Sequence, residues 1–391
     1  MIALLVGPVC LAQDSSLQTD TDRRNGGLNI PSSEWGISFG NSSRFTGLRI
    51  NWSDKYLEKI TGVNLTLWKP VDEPGGEITG LAVGVVGPAA DRITGVSFGL
   101  AHVMTRERSR GVTIGGLANV SGGKMEGVNL AGMAVVSEGD MTGLNLSGLA
   151  TISGGSMMGI NYGTLATVAR GSMGLVNIGG LAAVAEGKMT GLNFGGLALV
   201  AEGDMTGINM GGLATVSEGE IKGVSGSMLA VVAMDRLWGV NLAGLATVSG
   251  DKIEGLSVGG LAVVAQNSIT GISIGGAAVV CEGPLRGGSF SLGVVMSEEE
   301  IWGISFAGYK VKSPKITGIN ISILAMEVDD FSGVAFGGYN NVRGIQTGIT
   351  FGIFNVAKEL RGIQIGVLNY AENNPDPFKL LPVINFNFGR N

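Results

Sequence analysis

Apolar and polar residues alternate along this chain in a rhythm that resets every 16 residues. The segment GLNLSGLATI at 143–152 returns as GLNFGGLALV at 191–200. From Gly95 to Gly303 the leading glycine recurs at each sixteenth position, and Leu175 is the one exception. An insertion in any unit would displace every side chain stacked on it, which is why the spacing holds. After the glycine, two apolar residues flank a polar one: Leu144 and Leu146 around Asn145, Leu192 and Phe194 around Asn193. Apolar–polar–apolar alternation predicts a half-buried strand, and we expect the Leu144 and Leu146 rows to face the core. Gly-Gly or Ser-Gly pairs, as at 147–148 and 195–196, then supply a bend. A second short strand follows, such as 149–153. It could turn Ala150 and Ile152 inward, or Leu149, Thr151 and Ser153. A corner closes each unit, as in Glu138-Gly139-Asp140. Its middle residue is Gly, Asp or Asn, the types that tolerate left-handed backbone.

Stacked units of this kind predict an all-β fold, a parallel β-solenoid of about twenty 16-residue coils with irregular terminal caps. Neighbouring strands would lie about 4.8 Å apart. Leu, Ile, Val and Met columns would form a core that no single unit could bury. The chain divides into a signal-peptide-like segment at 1–12, a flexible linker at 13–34, irregular N-terminal coils at 35–94, the regular array at 95–310, and irregular C-terminal coils with a cap at 311–391. Units near Gly318, Gly333, Gly344 and Gly362 belong to that last stretch. Between 95 and 310 the single proline, Pro284, falls at a corner, where it breaks no ladder hydrogen bond. The alternative architecture is a closed β-barrel in the outer membrane, acting as a pore, with each unit one strand of about 12 residues. The alternating tail at 384–388 favours it. The lack of Tyr and Trp girdles and the uniformly short turns oppose it.

Composition narrows the function. Glycine makes up 68 of 391 residues, about two and a half times the usual share. Pro is scarce and 45% of residues are hydrophobic, which excludes collagen and a disordered glycine-rich chain. A net charge of −6 offers no basic footprint for nucleic acid. Cys10 and Cys281 are the two cysteines, too few for a disulfide framework. The apolar run at 1–12 ends in Ala12 before polar residues and reads as the apolar half of an export signal. Acylation of Cys10 is a weaker reading, because 7–9 (Gly-Pro-Val) is a poor context for it.

The GL(N/S)(L/I)GGL array resembles the exported glycine-rich surface-repeat proteins of Gram-negative bacteria. So does the ending GIQIGVLNY at 362–370 with LPVINF at 381–386. The likeness covers nearly the whole chain after residue 12. That family is uncharacterised, so the resemblance implies an envelope location (periplasm, outer membrane or cell surface) and brings no catalytic residues with it.

The residues themselves offer little chemistry. His102 is the only histidine and there is no Cys-x-x-Cys, which argues against zinc sites and Ser-His-Asp or Cys-His machinery. Glycine-rich stretches such as 207–212 precede more β-structure, whereas a dinucleotide fingerprint needs a helix there. We therefore expect no enzyme and no cofactor. Cys281 stands where other units have Ser or Ala and reads as a small packed thiol. Glu186, Glu202 and Glu218 would stack one coil apart, with Asp204 and Glu220 beside them. Such an edge is either solvated and relieved by Lys188 and Lys222, or a low-affinity calcium site. The Asn column reads as a hydrogen-bonded ladder, with a polar ligand stripe as the alternative. The Met column reads as an adaptable core corner. Whichever way the second strand turns, apolar residues remain outside. A flat, mildly apolar face implies docking to another surface: an envelope protein, a glycan, a second copy or the outer membrane.

Overall fold

The computed structural model describes residues 26–68 and 75–389; the stretch at 1–12 that the sequence reads as an export signal lies outside them. Among the described residues there is no helix, and all strands join one sheet system. Each regular coil contributes a long strand such as Met141–Ser147 and a short one such as Ala150–Ser153. Each strand pairs in parallel with its counterpart one coil away: Asn145 lies opposite Asn161, and Thr151 opposite Thr167. The protein is therefore a parallel β-solenoid and not a barrel. Parallel in-register stacking follows from the invariant period, since each coil presents to the next the side chain it carries itself.

Why the leading position is glycine is visible in the backbone. Gly143 has a φ of +108°, and a Cβ on it would stand 2.1 Å from the carbonyl oxygen of Gly127. Here the long strand bends, so that Met141 and Asn145 both point inward with the intervening residues outside. The same column continues at both ends of the regular array, upstream through Gly36, Gly47, Gly62 and Gly80 and downstream through Gly318, Gly333, Gly348 and Gly362. In the C-terminal coils the register thus passes through Gly348 rather than Gly344.

The orientation of the strands corrects the sequence expectation. Asn193 is 0% exposed, whereas Leu192 and Phe194 beside it are 39% and 38% exposed. The rows of Leu144 and Leu146 face outward along the whole array. In the short strand Thr151 and Ser153 point inward, while Leu149 sits outside at the bend. The interior of a coil is consequently made of Met141, Asn145, Ser147, Thr151 and Ser153. Sixteen residues bent at several corners enclose a narrow space. It holds one long flexible side chain, the Met, and otherwise small or ladder-forming ones.

The polar interior is stabilised by a relay of amides. Asn129 donates to Asn145 at 2.8 Å, Asn145 to Asn161 at 2.8 Å, Asn161 to Asn177 at 2.8 Å, Asn177 to Asn193 at 2.8 Å, and Asn193 to Asn209 at 2.9 Å. A buried amide costs free energy only when its partners are missing, and identical stacking supplies them. The Met column, from Met125 to Met205, is buried as expected, and Ile221 to Ile301 continue it with branched residues.

Both ends depart from the parallel rule. Gly26–Pro31, which the sequence places in a linker, is a strand running antiparallel to Trp35–Asn41. At the other end Leu380–Phe388 runs antiparallel to residues 361–370. These two strands lie over the terminal coils, whose edges would otherwise be open. Near the N-terminal end the column occupied elsewhere by Asn holds Arg49. It is fully buried and ion-paired with Asp54 at 2.7 Å. Asp54 also accepts from Asn51, Asn64 and Thr66. Burial lowers the pKa of Arg49, and Asp54 opposes that shift.

Candidate interaction surface

Turning the polar row inward puts the apolar rows on the surface. Four of them run parallel to the axis: the Leu144 row, the Leu146 row, the Leu149 row and the Ile152 row. Leu149, Leu165, Leu181, Leu197 and Leu213 form an exposed ridge at the bend between the two strands. Beside the ridge the Gly-Gly pairs floor a shallow groove, because a Cβ on Gly196 would meet the carbonyl of Gly180 at 1.7 Å. On its other side rise Phe194, Met210 and Leu242.

Charge is confined to the rest of the cross-section. From Gly111 to Ser297, twelve successive coils, the leading glycine and the ten positions after it contain no Asp, Glu, Lys or Arg. All charges fall in the remaining five positions, 138–142 in one coil. Across 111–302 these hold seven basic against fifteen acidic side chains, a net −8. The solenoid is amphipathic in section, with one acidic edge and a broad uncharged apolar face.

The five acidic residues of the calcium reading all lie on that edge. Lys188 reaches Asp204 at 2.8 Å, and Lys222 pairs with Glu220. The bond from Lys188, with the Glu220 amide second, holds the Asp204 carboxyl below the usual carboxylate range. Glu186, Glu202 and Glu218 are exposed one coil apart. Among the described residues no three carboxylate, thiol or imidazole groups converge as metal ligands would. Of the five, Asp204 and Glu220 are ion-paired and the other three are exposed.

Cys281 is fully buried between Ala265 and Ser297 of the adjoining coils. Burial pushes its thiol up to about 11. Since only the thiolate is nucleophilic, Cys281 should resist a thiol-specific reagent at pH 8 in the folded chain and react promptly in denaturant. Rapid labelling of the native protein would show that the coil around it opens.

The uninterrupted apolar face was only partly visible in the sequence. Its signal was the absence of charge from eleven of sixteen positions, which does not depend on knowing which strand face points inward. No protein-family model, curated protein or solved structure matches the chain.

Proposed function

We propose that the chain is a non-enzymatic, exported repeat scaffold of the bacterial cell envelope that works through its uncharged face. The observation that carries this reading is the restriction of charge to one edge through twelve coils. A face this long and this free of charge exceeds the apolar patches ordinary on soluble monomers, and such patches mark interaction sites. The repetition supports the non-catalytic part. Every coil offers the same few side chains, which suits an extended contact, whereas catalysis needs one convergent constellation. The export segment at 1–12 and the resemblance to Gram-negative surface-repeat proteins support the envelope location.

Fractionation of a Gram-negative host producing the full chain tests the reading. The protein is expected in the periplasmic or membrane fractions, and deletion of residues 1–12 should leave it in the cytosol. Recovery of the full chain wholly in the cytosol would overturn the proposal.

A further inference from the structure

The groove on the uncharged face is not uniform. Its floor is glycine in three successive coils, then a larger residue, and the pattern repeats. Leu100 precedes Gly116, Gly132 and Gly148; Thr164 precedes Gly180, Gly196 and Gly212; Met228 precedes Gly244, Gly260 and Gly276; Leu292 then follows. The four larger residues are 64 positions apart, or four coils. Leu100, Met228 and Leu292 stand well into solvent, at 60%, 67% and 76% exposure. Between them lie hollows of about 470 Å³ and about 580 Å³, the first ending at Thr164 and the second at Met228.

Knobs and hollows therefore alternate along one groove with a common period of about 19 Å, four strand spacings. We infer that two copies of this chain pair face to face along the groove, offset by two coils, so that the knobs of each enter the glycine-floored hollows of the other. This deepens the scaffold reading by naming the partner, and it rests on that reading's assignment of the apolar face as the contact surface. Equal spacing makes the surface self-complementary when one copy is reversed, which is the condition for a closed twofold pair. No charge lies on the face to be desolvated. Offset by two coils, the twelve-coil faces overlap over ten, and a strip about 48 Å long and about 20 Å wide would bury about 1,900 Å² over both copies, the size of a stable protein–protein interface.

Charge argues against a lipid occupant. The edges bordering the face carry a net −8, which an anionic bilayer repels, and the face has none of the Lys or Arg that anchor peripheral proteins to headgroups.

Sedimentation velocity of the purified full chain at micromolar concentration tests the pairing. Wild type should run as a pair, twice 40.0 kDa. The double variant Met228→Glu/Leu292→Glu should weaken association by about 100-fold or more, because each carboxylate would be buried without a partner. Both positions are exposed, so the β-sheet circular dichroism should not change. Leu197→Glu/Leu213→Glu on the neighbouring ridge should act alike, and Lys188→Ala on the acidic edge should leave the pair intact. A wild-type chain that stays single, a pair indifferent to the knob variants, or single copies taken up by phosphatidylcholine vesicles would each overturn the inference. Because this test uses purified protein, it can fail while the envelope location stands, and the reverse also holds.

Discussion

Gly207→Ala should destabilise the solenoid by about 3–5 kcal/mol, although it adds one methyl group at a surface bend. Gly207 has a φ of +111°, and a Cβ there would lie 2.2 Å from the carbonyl oxygen of Gly191 and 3.0 Å from its carbon. The neighbour is backbone already committed to the ladder, so it cannot rotate aside as a side chain would. The chain contains the converse experiment. At Leu175 the column carries a side chain, the backbone has moved to a φ of 71°, and pairing to the following coil skips that position, resuming at Val176 opposite Leu192. Leu175→Gly should therefore stabilise by about 1 kcal/mol, by relieving a left-handed leucine and restoring the skipped pair. Urea unfolding monitored by circular dichroism measures both. A Gly207→Ala protein with an unchanged midpoint would mean that the column is not stacked as described.

The period, the parallel stacking, the Gly-Gly bend and the corner could be read from the sequence because each is enforced by contacts between identical residues, while the bend at the leading glycine was not read. A glycine required by the carbonyl of the coil beneath must recur, and its recurrence is the signal. The direction of the strands could not be read in the same way. Alternation of period two says that Leu144 and Asn145 lie on opposite faces, but not which of them faces in. The rule that apolar residues are buried gave the wrong sign here. The better guide was size: Ser147, Thr151 and Ser153 fit a narrow interior, and two rows of Leu beside the Met column would not. The buried Arg49–Asp54 pair escaped notice for another reason. It lies in the irregular coils, where no repeat marks which residues share a column. The acidic edge was legible because a run of charge needs no knowledge of the fold, yet its ion pairs depend on the stacking, since Lys188 serves Asp204 one coil on while Lys222 serves Glu220 within its own coil.

The inverted interior makes a prediction about adjacent residues that a hydrophobic-core reading would reverse. Asn161→Ala should cost about 3–5 kcal/mol, while Ile160→Ala should cost no more than about 1 kcal/mol. Removing the Asn161 amide leaves the Asn145 Nδ2 donor and the Asn177 Oδ1 acceptor buried without their partners. Each orphaned group costs about 1–3 kcal/mol, and neither can reach water through the packed Met and Thr columns. Ile160, by contrast, is nearly half exposed, so truncation gives up little burial. Asn161→Ser should fall between the two, since Ser225 ends the amide relay after Asn209 and Ser257, Ser273 and Ser289 occupy the same column in later coils. Urea midpoints of the three variants order the effects, and hydrogen exchange at coils 145–177 localises them. If Ile160→Ala proved the more damaging change, the apolar rows would have to face inward, and the uncharged outer face would disappear with them.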